Sequence, residues 1–293
     1  MPVLALMFNA LVWGLSWWPF RQFQALGLHS LWTTVAIFAL SALAMTLLRP
    51  RTWRELRASP ALWVLMLAAG ATNAAFNWAV ALGDVVRVVL LFYLMPLWAV
   101  LLARLLLKER LTPLALLRMV LALAGAAVVL APAEGGLPLP ASLADWLGVA
   151  GGFFFALNNV LLKRESHSGA QALALAMFAG DVLIAGLAAV LLALTGHVPW
   201  PALPTWLWLL PLAGMAGLFA LANLSLQFGA ARMPANLTAV IMLVEVPIAA
   251  ISALWLGGGQ LDLKTALGGL GIVAAALLAA LEHRAGGSTS AKN

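Results

Sequence analysis

Ten apolar segments follow one another along this chain with short loops between them. They lie near 3–20, 31–48, 61–82, 86–106, 113–132, 143–162, 170–194, 205–228, 235–256 and 265–282. A helix needs roughly 20 apolar residues to cross the ~30 Å hydrocarbon core of a bilayer. No water is present there to satisfy backbone amides, so spanning segments of this length are helices. Ten of them use most of the 293 residues. Hydrophobic residues make up 64% of the chain and charged residues 9%, with a mean hydropathy of +1.03. A soluble domain of this size does not run on so few charges. The opening "MPVLALMFNALVWGLSWWPF" lacks a basic n-region and a small-residue cleavage site. It reads as a first membrane helix rather than a removable signal, and the whole chain reads as membrane part.

The net charge of +6 does not point to nucleic acid. The basic residues sit in short clusters between apolar runs, such as "RPRTWRELR" at 49–57 and "KRE" at 163–165. That is the pattern of loops beside anionic lipid. With the N-terminus in the cytoplasm, thirteen of the 16 Lys and Arg residues fall on the cytoplasmic side, and only Arg21, Arg87 and Lys264 on the other. Both termini are therefore expected in the cytoplasm, in a multi-pass protein of the cell inner membrane. There is no cysteine, and His29, His167, His197 and His283 all fall in expected loops or the tail. No metal site and no cofactor is expected.

The second half echoes the first. "NWAVALG" (77–83) aligns with "NLSLQFG" (223–229), pairing Asn77 with Asn223. "YLMPLWAVLLARLLL" (93–107) aligns with "VEVPIAAISALWLGG" (244–258), pairing Pro96 with Pro247. Five helices per half is an odd number, so the second half enters the membrane from the opposite side. The expected fold is an all-α polytopic membrane protein of ten transmembrane helices, two inverted five-helix repeats around a central cavity. The expected units are 1–132 (first repeat), 133–142 (a Pro- and Gly-rich linker), 143–284 (second repeat) and a disordered tail, 285–293.

"VWGLSWW" near the start, "LMPLWAVLLARLLLKERLTP" in the fourth segment and "VEVPIAAISALWLGG" in the ninth resemble the drug/metabolite transporter superfamily, EamA type. Over its whole length the chain is most similar to the YddG-like aromatic amino-acid exporter branch. The resemblance implies that helices 1, 3, 4, 6, 8 and 9 surround a central cavity and that flux is outward. One feature departs from the family pattern. The first half carries the Leu-x-Glu-Arg end with Glu109, whereas the second half reads "GGGQ" and lacks the matching Glu.

Polar side chains at membrane depth are costly and need a reason. Trp13, Ser16 and Trp17 share one face of the first segment with Asn9. Asn73 and Asn77 lie four apart in the third, with Trp78 beside them. The sixth carries Asn158 and Asn159, and the eighth Asn223 and Gln227. Tyr93 and Glu245 stand mid-segment in the fourth and ninth. Apart from Asn9 and Asn159, these are the candidate substrate-binding residues, with Pro96 and Pro247 as hinges that break the helix. For a single Asn, helix-to-helix hydrogen bonding at about 1 kcal/mol or less competes evenly with a cavity role. Trp53, Trp63, Trp146, Trp200, Trp206 and Trp208 are expected in the interfacial belt. Asp181, in the seventh segment, is expected to be hydrogen-bonded and structural, away from the cavity.

No nucleophile–base pair or metal cluster is visible at a common depth, which argues against an intramembrane enzyme, and no ATP-binding loop appears. The expected function is secondary transport by alternating access of small metabolites, with aromatic and hydrophobic amino acids as the favoured cargo. Aromatic faces suit the side chain and amides suit a zwitterion. An uptake carrier or a broad drug/metabolite carrier of the same fold, proton-coupled or not, is the alternative. The expected partners are the small-molecule substrate and membrane lipid, with no nucleic acid, for a chain acting as a monomer.

Overall fold

A computed structural model describes residues 1–106, 108, 112–132, 137–165, 168–201, 206–230, 232–233 and 241–287. Among these every regular element is a helix. Helices α1 (Pro2–Leu15) and α2 (Trp17–Ala25) form one span, interrupted at Ser16, and α3 (Ser30–Leu48) returns across. The short α4 (Thr52–Ala58) leads into α5 (Pro60–Leu82). Next come α6 (Val85–Phe92) and α7 (Met95–Leu106), two pieces of one span, then α8 (Pro113–Leu130), α9 (Leu143–Arg164), α10 (Ala170–Leu194) and α11 (Trp206–Ala230). The last two are α12 (Glu245–Trp255) and α13 (Leu263–Gly287).

Eight helices among the described residues are long and apolar enough to cross a membrane, where the sequence suggested ten. The ninth and tenth segments appear as two shorter apolar helices, Glu245–Trp255 and Leu263–Leu278. Part of the ninth, 235–240, lies outside the described residues, as do Glu109 and most of the loop around it. The tenth runs as helix to Gly287, two residues past the point where a disordered tail was expected.

Local chemistry sets the helix ends. Pro60 and Pro113 open α5 and α8, where the missing N–H costs nothing. Thr112 caps α8, and Asp84 caps α6 by accepting from the Arg87 amide. Ser142 and Asp145 form a reciprocal capping box at the start of α9. His29 caps α3 with a ring nitrogen that accepts from the Leu31 amide, and burial pushes its pKa below the ordinary value.

Packing follows the rule of lipid rather than water. On α10 the buried positions are small, among them Ala172, Ala176, Gly180, Ala185 and Ala189. Leu183, Leu187 and Leu191 of the same helix face outward. Lipid tails are as apolar as leucine, so close backbone contact decides which face is inside. At the α5–α10 crossing a Cβ on Gly180 would lie 1.8 Å from the Met66 carbonyl oxygen, and one on Gly70 would lie 2.1 Å from that of Gly180. Any side chain there would force the two helices apart. Helix α6 is buried at every residue from Val85 to Phe92 except Arg87. It stands among α5, α9 and α12, so the broken span is the centre of the bundle.

Candidate substrate cavity

The fourth and ninth segments break at corresponding places. Helix α6 ends at Phe92, Tyr93 and Leu94 form a turn, and α7 begins at Met95. Leu243 and Val244 form the second turn, and α12 begins at Glu245. In each turn the ladder tightens to three-residue bonds: Leu97 N to Leu94 O at 3.0 Å, and Val246 N to Leu243 O at 3.1 Å. Pro96 and Pro247 therefore lie in the first turn of a new helix, where an N–H would have no intrahelical partner. The break precedes each proline. A carboxylate at Glu245 fits that position as well, because the first turn presents the positive end of the helix dipole.

Both breaks border a cavity of about 520 Å³. That lies within the range of small-molecule sites, roughly 300–1,000 Å³. Tyr93, at the first break, and Glu245, at the second, both line it and interact side chain to side chain. Tyr93 is buried, and Glu245 is partly open to the cavity. Asn73 and Thr72 enter from α5, Asn158 and Asn159 from α9, Asn223 from α11, and Trp13 with Asn9 from α1.

The rest of the wall is aromatic. Trp13 stacks on Phe219 with ring centroids 4.7 Å apart, and Phe38 stacks on the other side at 6.1 Å. Phe76 and Phe155 both lie against Phe92, at 4.8 and 5.3 Å. Lone amides and carboxylates are thus set in apolar, polarizable surface.

Of the candidates named from the sequence, Trp13, Asn73, Tyr93, Asn158, Asn223 and Glu245 line this cavity. Ser16, Trp17, Asn77 and Trp78 do not. Ser16 back-bonds to the Trp13 carbonyl at 2.7 Å, in the short break between α1 and α2. Trp17 donates to Ser252 Oγ at 3.0 Å and packs on Gly258, beyond the cavity. Asn77 is fully buried and donates to Thr34 Oγ1 at 3.1 Å, joining α5 to α3. Trp78 meets His29 edge-on at 5.5 Å. These four residues, two on the first span and two on α5, serve helix packing, because residues along a span meet different neighbours at different depths. The Gln227 side chain lies outside the described residues.

Asp181 is a correction. The sequence reading placed its helix away from the cavity. The structure puts Asp181 on the cavity wall with Met177 and Phe178 of α10, because the Gly70–Gly180 contact draws α10 deep against α5. Its hydrogen bond is nonetheless real: Asn73 Nδ2 donates to Asp181 Oδ1 at 3.0 Å. The signal was available in "FAGD", where a glycine beside the acid permits the close approach. Trp208 is a second correction, being buried beside Leu212 and Phe20 rather than in the belt.

Polar ties join the helix ends at one end of the bundle. Arg87 grips Asp145 with two bonds, Nε to Oδ1 at 2.7 Å and Nη2 to Oδ2 at 3.0 Å, and its Nη1 donates to the Val129 carbonyl at 2.9 Å. Arg21 donates to the Val80 and Gly83 carbonyls, and Lys264 to that of Ala131. Asp84 accepts from the Gln260 amide at 2.6 Å. The three basic residues assigned to the non-cytoplasmic side thus gather in one set of ties.

Residues 1–131 match the model of the EamA-like transporter family. An uncharacterized transporter from Helicobacter pylori strain J99 is 31% identical over 193 residues, which is 64% of this chain and 61% of that protein. An uncharacterized transporter from Pseudomonas aeruginosa is 43% identical over 82 residues, 27% of this chain and 28% of its own. The chain therefore spans about three fifths and about a quarter of these relatives' lengths. One solved crystal structure superposes over 97% of both chains with a TM-score of 0.61 at 18% identity, a likeness of fold. The chain has eight helices of spanning length among its described residues, as a multi-pass membrane protein does, and its first 131 residues resemble EamA-like transporters.

Proposed function

We propose that this chain is a secondary transporter of small metabolites, working by alternating access and carrying hydrophobic or aromatic amino acids outward across the inner membrane. The observation that carries the reading is the cavity at the two helix breaks. It is walled by aromatic rings and dotted with amides, and polar ties such as Arg87 to Asp145 join helix ends at one end of the bundle. Helix breaks at membrane depth occur where protein or a cavity re-satisfies the backbone.

Two inverted five-helix repeats account for further pairings. Gly152 of α9 faces the Phe92 carbonyl at the first break, and Gly14 of α1 faces the Glu245 carbonyl at the second. Helix α9 packs on α5 and on α6–α7, as α1 packs on α11 and α12. Helices α8 and α13 pack on each other, with Gly125 against Gly268. The first helix of each half thus backs the broken helix of the other. That is the arrangement expected when two repeats enter the membrane from opposite sides.

Transport is downhill in this reading. No Lys, Arg or His stands among the described cavity residues to relay a proton between the carboxylates. The test is flux by purified protein in liposomes with an amino-acid panel, with and without an imposed pH gradient. The expected result is saturable exchange of aromatic amino acids and no uphill accumulation driven by protons. Accumulation that a pH gradient drives, and that Glu245→Gln abolishes, would make Glu245 a coupling residue. Absence of flux for the whole panel would remove the cargo class.

A further inference from the structure

Two buried amide oxygens on residues of the cavity wall lack a donor. Asn9 Nδ2 donates to the Ala222 carbonyl at 2.8 Å. That bond fixes the amide orientation, so Asn9 Oδ1 is the free end. It is buried and without a partner. Asn158 Oδ1 is likewise buried and unpartnered, and both residues are at least nine-tenths buried on the cavity wall. The amide nitrogen of Asn73 is already committed to Asp181. Asp181 and Glu245 add carboxylate oxygens, which when ionised only accept. No basic side chain among the described lining residues offers a counter-charge. Buried acceptors without donors are costly and call for a ligand that brings its own N–H groups. The surrounding rings offer negative π faces, which attract cations.

We propose that the cavity recognises the ammonium end of its cargo, with Asn9 and Asn158 as acceptors and Asp181 and Glu245 as the charge. A carboxylate on the cargo is then a passenger rather than a recognised group. The proposal rests on the preceding reading of the cavity as the cargo site and narrows it. It makes an arylalkylamine at least as good a ligand as the matching amino acid. A cargo carboxylate would meet two acids and no cation, so an aryl carboxylic acid without an amine should be excluded.

The test is direct binding to the full-length protein in nanodiscs, measured calorimetrically, with three probes of one aromatic size: phenethylamine, phenylalanine and 3-phenylpropionate. The expected order puts phenethylamine equal to or tighter than phenylalanine, and 3-phenylpropionate at least ten-fold weaker than both. Asp181→Asn and Asn9→Ala should each weaken phenethylamine by about ten-fold. Either variant could fail to fold, and then the three-probe order on the parent decides alone. Phenylpropionate binding as tightly as phenethylamine would overturn the proposal and leave the cargo site standing. So would phenylalanine binding more than ten-fold tighter than the amine, or an amine affinity untouched in a folded Asp181→Asn. No binding by any probe would remove the aromatic cargo class and this proposal with it.

Discussion

Asn77 shows how a polar residue at membrane depth divides its possible work. By spacing it belongs with Asn73, one helical turn away, and by alignment with Asn223. Asn73 and Asn223 reach the cavity, while Asn77 is spent on Thr34 of the neighbouring helix. The periodicity of α5 was readable, but the neighbour facing each rung was not, because that depends on where α3 crosses. The three therefore separate in experiment. Asn77→Ala should cost about 1 kcal/mol of stability, the typical worth of such a bond, and leave cargo affinity as in the parent. A shift in thermal unfolding without a change in KM is the expected pattern, and a raised KM at unchanged stability would return Asn77 to the site. Asn9 stood on a face singled out from the sequence, yet its free carbonyl oxygen depends on a bond to Ala222, 213 residues away. No local signal carries that.

At the scale of elements, prolines announced both breaks, but the structure moves each break to the turn before its proline and uses the proline to start the next helix. The helices themselves were legible almost throughout, since a run of some 20 apolar residues has few other fates. The crossings were less so. Small residues marked α10 as closely packed, but only its contact with Met66 shows how near, and only that nearness brings Asp181 to the cavity. The polar ties at one end of the bundle lie between elements too. Arg87 of α6 and Asp145 of α9 form a bidentate pair, a geometry stronger than a single ion contact. Their sequence separation hid the pairing. Asp145→Ala removes the pair and the carboxylate half of the capping box, while Ser142 still accepts from the backbone amide of residue 145, so that end should open more often. With a cysteine introduced at Ser252, beside Trp17, labelling by an impermeant thiol reagent should then speed up several-fold. An unchanged rate would mean that the apolar packing of Trp17 on Gly258 holds the end shut without the charges.

For the whole molecule, the distribution of basic residues in the sequence is the basis of the proposed topology, with thirteen expected on the cytoplasmic side and three on the other. Those three are the ones drawn into the ties at one end of the bundle. In the proposed orientation both termini are cytoplasmic. A cysteine at position 293 of this cysteine-free chain should react with an impermeant reagent only after the cells are opened, and reaction in intact cells would invert the orientation. In that proposed orientation the tied end lies on the periplasmic side.

The divided span α6–α7 has a consequence for how the bundle can move. Eight residues of helix measure about 12 Å and twelve about 18 Å, so neither piece alone is long enough to cross a ~30 Å hydrocarbon core. The turn at Tyr93 and Leu94 joins them. Helix α6 is packed among other helices, so a pivot at that turn meets the resistance of side-chain packing rather than of lipid. In the transport cycle proposed above, one piece can tilt while the other keeps its neighbours, and the protein need not shift a whole span to change which side its cavity faces.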